Sequence, residues 1–207
     1  MSDIPKIIER LVPGVNRQYG EGSAALRQHL LRYRFASAYL RKGDEVLDIA
    51  CGSGYGAAIL AASGAKVTAV DRSIDAISYA KNSYGEAITW LCSPFDQYRG
   101  EDDYFDRIVC LETLEHLEDP QMVLQTFARM LKKKGLLLCS VPIIPSRHFD
   151  PYHLHDFSQK SFLLLLDLCG FRIIDRLVQE DMFITVVACT NDAPDLEPEP
   201  VFTQLVL

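Results

Sequence analysis

The stretch VLDIACGSGYG, residues 46–56, constrains the fold more than any other part of the chain. Val46, Leu47 and Ile49 read as a short buried strand in which Asp48 is the one acid. Gly52, Gly54 and Gly56 are too closely spaced for the interior of a strand or a helix, and residues 57–62 (AAILAA) then have strong helix propensity. A strand that feeds a helix through a glycine turn leaves backbone N–H groups free at the helix N-terminus, with no Cβ to block a ligand. The turn therefore predicts a nucleotide-like cofactor at this place.

The segments around it repeat the same rhythm. Strands are expected at 45–49, 66–70 (closing on Asp71), 87–91, 106–111 and 136–141. Helices are expected at 23–41, from the glycine turn to Ala62, from Ser73 or Asp75 to Ser83, and at 120–131, where the lysines 132–134 suit a helix C-terminus. Short, uniformly apolar strands alternating with helices predict a parallel sheet covered on both faces. After residue 141 the rhythm changes. Residues 142–157 form a long connection rich in proline, histidine and aspartate, and long loops in compact domains are usually functional. A helix at 158–168 and two strands at 171–178 and 182–190 then read as an antiparallel hairpin. The fold class expected is α/β, a Rossmann-like seven-stranded, mostly parallel sheet with helices on both faces and a C-terminal antiparallel hairpin. Residues 1–43 are expected as an N-terminal helical lid, 44–190 as the core, and 191–207 as an acidic, proline-rich, disordered tail.

Composition narrows the function. A formal charge of −7 supplies no basic field for a phosphate backbone, so nucleic acid is a poor partner. The six cysteines are spread one per segment with no C-x-x-C pair, which suits buried thiols in a reducing cytosol. The first residues lack a signal-peptide apolar region, and the longest apolar block, 162–166, is too short to span a bilayer. A cytoplasmic protein with a small-molecule substrate is expected, without membrane or nucleic-acid partners, as a monomer or homodimer.

Two cofactors compete for the glycine turn. Gly52-x-Gly54-x-x-Ala57 matches the dinucleotide fingerprint, and Asp71 lies about twenty residues on, where an acid holds a ribose diol. An NAD-dependent dehydrogenase is one reading. Asp48 favours the other, because a carboxylate four residues before the first glycine repels pyrophosphate but can orient the glycine loop or receive an ammonium group. The sequence resembles class I S-adenosylmethionine-dependent methyltransferases of the small-molecule, single-domain type. VLDIACGSGYG (46–56), VTAVDRS (67–73), FDRIVCLETLEHLEDP (105–120) and MLKKKGLLLCSVP (130–142) carry the resemblance, which covers roughly residues 20–190.

The resemblance implies S-adenosylmethionine as the cofactor. Gly52 and Gly54 would approach its methionine part, with Ala50 beside them; Asp71, flanked by Arg72, would bind the ribose hydroxyls, and Leu111 and Glu112 would lie alongside. Ser93 stands where such enzymes often place an aspartate for the adenine amino group, and a hydroxyl accepts more weakly than a carboxylate. Pro94 or Phe95 would flank the ring. In the lid, Tyr19 and Arg32 (or Arg34) are candidates for the cofactor's far end, with Tyr33 and Phe35 as core.

For the acceptor, Glu112, Glu115 and His116 share a face if residues 112–116 are helical, just past a central strand where ligands bind. The stretch RHFDPYHLHD, 147–156, supplies His148, His153 and His155. A base removing a hydroxyl proton adds roughly 10²–10⁴-fold to such a transfer, and His153, His155 and His148 are the first candidates, then His116 and Glu112. No metal is expected, because no cluster elsewhere in the sequence obviously completes a shell around His153 and His155. Asp156 or Ser158 is expected to cap the following helix. Related sequences with a Pro-Tyr-His element here resemble glycan or secondary-metabolite O-methyltransferases, so methylation of such a hydroxyl is the expected activity. A catalytically silent cofactor-binding subunit is the further alternative.

Overall fold

The computed structural model describes residues 24–94, 97–148 and 150–194. Tyr19, Ser23, Phe95 and most of the expected lid and tail lie outside the described residues. Seven strands pair in the order β3-β2-β1-β4-β5-β7-β6, numbered along the chain with the ranges given below. The described residues form two compact units: residues 24–43 with Leu47–Tyr98, and Asp44–Val46 with residues 99–194.

In the first unit, α1 (Ala24–Ser37) buries Leu26, Arg32, Tyr33, Phe35 and Ala36 and packs on α2 (Tyr55–Ala61). β1 (Glu45–Ile49) runs into this unit with Val46–Ile49 all buried, Asp48 included. β2 (Lys66–Asp71) lies parallel to β3 (Thr89–Cys92), with Asp71 opposite Cys92. Between them α3 (Ile74–Tyr84) starts at Ser73, whose hydroxyl accepts the Ala76 N–H at 3.2 Å, as an N-cap should. β3 is mostly exposed rather than buried, because it ends the sheet order and has only β2 as a neighbour.

In the second unit, β4 (Phe105–Leu111) is parallel to β5 (Leu131–Pro142). A 3-10 turn (Leu114–His116) and α4 (Pro120–Met130), capped by Asp119 and opened by proline, lie between them. α5 (Gln159–Leu168) carries a capping box from Ser158 and Ser161. β6 (Phe171–Gln179) and β7 (Phe183–Thr190) form the antiparallel hairpin, with β7 also antiparallel to β5. The expected sheet, parallel with an antiparallel end, is the one observed. The lysine run is placed differently. α4 ends at Met130, where the Asp103 and Tyr104 N–H groups donate to the Arg129 and Met130 carbonyls, and Leu131 already pairs with Phe105. Lys132–Lys134 therefore belong to an irregular first part of β5, and Lys132 pairs with Asp106 at 2.7 Å. No described helix is long and apolar enough to cross a membrane.

Candidate functional site

At the end of β1 the backbone turns through three left-handed residues, Ala50 (φ 59°), Gly52 (φ 57°) and Gly54 (φ 85°). A non-glycine residue in that region costs of order 1–3 kcal/mol and persists where the surrounding structure holds it. The Cys51 N–H donates to the Val70 carbonyl, which ties the turn to β2. The glycines then serve different ends. A Cβ on Gly52 would meet open space, whereas one on Gly54 would meet Ala80 at 2.5 Å and the Trp90 ring at 2.8 Å, and one on Gly56 would enter the Tyr33 ring. Gly52 thus keeps backbone open to a ligand, and the other two let α2 pack.

Two carboxylates serve this turn. Asp71, buried, accepts the Gly52 N–H on Oδ2 at 2.9 Å and the Ser73 N–H on Oδ1 at 2.8 Å. Both oxygens of this carboxylate are thus turned to the backbone of the glycine turn and of the α3 start. Asp48 is fully buried, and the Tyr33 hydroxyl donates to its Oδ1 at 3.2 Å. Burial pushes the Asp48 carboxyl up to about 8; the Tyr33 hydrogen bond works against this and the charge of Asp71 adds to it. Burial likewise raises the Tyr33 phenol well above its usual value. Tyr33, read from the sequence as core, is buried and is also the partner of Asp48. Its signal was a hydroxyl at an apolar helix position. Arg32 is buried as well, while Arg34 and Arg72 are exposed. The Ser93 N–H donates to the Asp71 carbonyl at 3.0 Å and its hydroxyl to the Pro94 carbonyl at 3.1 Å, leaving the oxygen's lone pairs as acceptors.

In the second unit, Leu111 is buried at the end of β4 and Glu112 follows with φ 49°. Ser140 explains that conformation: the Glu112 N–H donates to its carbonyl and hydroxyl oxygens at 3.1 Å, and its Oγ donates to Glu112 Oε1 at 2.6 Å. Only Leu114–His116 are helical, as a 3-10 turn, so the condition for Glu112 to share a helix face with Glu115 and His116 is not met. Glu115 is buried in the 3-10 turn. Its carbonyl accepts the Leu154 and His155 N–H groups at 2.7 and 3.2 Å, which stitches the 142–157 loop to the turn.

The histidines of that loop separate into distinct roles. His155 Nε2 is bonded to the Leu117 carbonyl at 2.8 Å, which staples the loop to the residue after the 3-10 turn. His148 is exposed. His153 Nδ1 lies 2.6 Å from Ser146 Oγ and its ring meets that of His116 edge-on, 4.6 Å between centroids. His116 Nδ1 is 3.1 Å from the Tyr152 carbonyl. A carbonyl only accepts, so Nδ1 carries the hydrogen and Nε2 the lone pair. Burial lowers the His116 pKa, more than the Tyr152 carbonyl raises it, and keeps the ring neutral. Asp156 does not cap α5; its Oδ1 accepts the Arg147 and Ser146 N–H groups, which hold its carboxyl below the usual range.

Comparison with known proteins decides the family. A family model described as a methyltransferase domain matches residues 22–175. The chain belongs to the methyltransferase-domain family. Among its relatives, the ubiquinone biosynthesis O-methyltransferase of Coxiella burnetii (strain RSA 493 / Nine Mile phase I) is 37% identical over 114 residues, 54% of this chain and 47% of that protein. The chain thus spans about half the length of that relative. The ubiquinone biosynthesis O-methyltransferase of Hydrogenovibrio crunogenus is 27% identical over 165 residues, 77% of this chain and 67% of its own. A SAM-dependent methyltransferase structure from Aquifex aeolicus superposes with a TM-score of 0.64 at 23% identity, over 75% of this chain and 86% of that one, which speaks to the fold alone. The resemblance to class I methyltransferases, with S-adenosylmethionine as cofactor, is thereby upheld for this member of the family.

Proposed function

We propose that the chain is an S-adenosylmethionine-dependent O-methyltransferase acting on a small-molecule hydroxyl. The observation that carries the cofactor side is the pair of buried carboxylates, Asp48 and Asp71, at one glycine turn. Asp48 keeps its proton in the ligand-free chain up to about pH 8; a cation set beside it would release that proton and a pyrophosphate would not, which argues against the dehydrogenase reading. The cofactor supplies a methyl already activated on a sulfonium. Asp71, at the end of β2 beside the glycine turn, takes the ribose hydroxyls. Asp48 receives the ammonium, Arg32 the carboxylate, Ser93 Oγ the adenine amino group, and Gly52 gives the backbone clearance. Tyr19, Ala50, Arg72, Pro94 and Leu111 complete the set proposed around it.

On the acceptor side, the proposal assigns the hydroxyl to the polar cluster of Glu115, His116 and His153, with Glu112 held beside it by Ser140. These side chains orient the acceptor oxygen and draw off its proton, which a hydroxyl must lose on being methylated. His155 holds the loop instead. The relatives' name supports an oxygen acceptor. Sugar or secondary-metabolite hydroxyls are the acceptors proposed first, and that name favours a hydroxyl of a ubiquinone-biosynthesis intermediate as the second reading. A thermal-shift panel tests the cofactor: S-adenosylhomocysteine should raise the Tm and NADH should not. A methyl-transfer assay over sugars and phenols then tests the acceptor, and transfer only to amines would overturn it.

A further inference from the structure

The Asp48 side chain is fully buried in β1. Among the described residues its carboxyl group has one hydrogen-bond donor, the Tyr33 hydroxyl of α1, at 3.2 Å from Oδ1 and 3.5 Å from Oδ2. Asp71, by contrast, is fed by two backbone N–H groups. A buried carboxyl group that is to carry a charge depends on every donor within reach. Whatever Asp48 does for a cofactor therefore passes through one phenol, 15 residues earlier in the chain.

The phenol is seated for that purpose. A Cβ on Gly56 would stand 2.0 Å from Tyr33 Cζ and 2.3 Å from both Cε atoms, so the bare glycine clears the hydroxyl-bearing end of the ring. The Tyr55 ring meets that of Tyr33 edge-on, with centroids 5.7 Å apart and planes at 73°, a favourable aromatic geometry. Phenylalanine would fill the same place without burying a hydroxyl, and the Tyr33 hydroxyl turns to Asp48. Burial raises the phenol well above its usual value, so it stays a donor across the neutral range. The other groups around the pair come from four elements. Cys51 in the turn and Tyr55 of α2 face Tyr33, Asp71 of β2 bears on Asp48, and Arg32 of α1 and Tyr84 of α3 bear on Tyr55. Burial and the charge of Asp71 keep the Asp48 proton on, and the Tyr33 hydrogen bond works the other way.

We propose that Tyr33 is a positioning residue of the cofactor site: its hydroxyl aims the Asp48 carboxyl group and steadies the charge that group takes on when the cofactor's ammonium arrives. Gly56 belongs to the same arrangement, because it seats the ring. The inference rests on the cofactor reading, with Asp48 as the acceptor for the ammonium group. The acid form of Asp48 gives its proton to solvent, the carboxylate stays, and the bound ammonium keeps all its hydrogens. Tyr33 keeps its own proton throughout and donates the hydrogen bond. Without that hydroxyl the Asp48 proton is harder to remove. Ligands with an ammonium group then lose affinity, and ligands without one do not.

The test uses the full chain and two probes. S-adenosylhomocysteine carries the ammonium group; 5′-methylthioadenosine keeps the nucleoside and the sulfur without the amino acid. Calorimetric titration from pH 6 to 9, in buffers of different ionisation enthalpy, gives affinity and protons released. In wild type, affinity for S-adenosylhomocysteine should rise about tenfold per pH unit and level off near 8. About one proton should leave per ligand bound at pH 6.5. Affinity for 5′-methylthioadenosine should stay flat. Tyr33→Phe, which keeps the ring in its place, should weaken S-adenosylhomocysteine at least tenfold at pH 7 and move the levelling to higher pH. It should leave 5′-methylthioadenosine within about twofold, a selectivity that a merely structural defect would not produce. Added to Asp48→Asn, the same change should cost S-adenosylhomocysteine no more than about twofold, because the charge it serves is gone. Equal loss of both probes, an unmoved pH profile, or a full further loss on top of Asp48→Asn overturns the role of Tyr33 and leaves the cofactor reading standing. A flat wild-type profile with no proton released overturns it without any variant, whether or not Tyr33→Phe folds. If neither probe binds wild type, the cofactor reading falls and this inference with it.

Discussion

Replacing Asp48 with asparagine should stabilise the ligand-free protein while damaging cofactor binding, and the stabilisation should grow with pH. Folding raises the Asp48 carboxyl from 3.8 to about 8, chiefly through burial. Between these values the folded chain keeps a proton that the unfolded chain releases. The contribution of Asp48 to stability is therefore fully present below pH 4 and is lost as pH rises toward 8. The slope is about 1.4 kcal/mol per pH unit, and the whole interval amounts to roughly 5 kcal/mol. The asparagine side chain has nearly the same shape, cannot ionise, and can still accept the Tyr33 hydroxyl. Burying its amide costs about 1–3 kcal/mol, so the net gain at pH 8 should be about 2–4 kcal/mol. For a chain of this length the Tm gap between variant and wild type should widen by roughly 3–5 °C per pH unit. Thermal unfolding of the ligand-free proteins at pH 5, 6.5 and 8, followed by circular dichroism, measures it. A gap that stays constant over that range refutes the argument, because it would mean Asp48 does not change its protonation on folding. In the same variant, calorimetry should show cofactor affinity reduced at least tenfold, because asparagine cannot ionise beside the cofactor's ammonium group.

Other consequences follow from particular contacts. Asp71→Ala should weaken S-adenosylmethionine at least tenfold by calorimetry, since it removes the acceptor that the Gly52 and Ser73 N–H groups aim. Gly52→Ala should cost only about 1–2 kcal/mol in unfolding experiments, for a left-handed non-glycine residue facing open space. The same substitution should nevertheless lower cofactor affinity at least tenfold, whereas Gly54→Ala, which drives a Cβ into Ala80 and Trp90, should instead compromise folding. His116→Gln should reduce kcat at least 100-fold with cofactor affinity unchanged, in stopped-time methyl-transfer assays. Ser158→Ala removes the hydroxyl that accepts the Ser161 N–H at 3.1 Å and should lower stability by about 1 kcal/mol in urea unfolding.

The cofactor turn was legible because its signals are local. Gly52, Gly54 and Asp71 are read from spacing, although the contacts that fix them reach β2, α3 and β3. Ser73 and Ser158 as helix starts are local in the same sense. The lysines at 132–134 were misread because the end of α4 is set by β-pairing of Leu131 with Phe105, a contact between residues far apart in the chain. The supposed face of Glu112, Glu115 and His116 failed for a similar reason. Ser140, on the next strand, holds Glu112 in a left-handed conformation that no helix contains.

Periodicity, glycine spacing and the rhythm of strands and helices were enough to set the α/β class and the order of its elements, since each element is written in residues within about one turn or strand of one another. Which histidine staples the loop, which two meet Glu115, and which tyrosine holds Asp48 were decided only when strands distant in the chain were paired. Those pairings fix side-chain directions, and a direction in space is the one property that a linear order of residues does not carry.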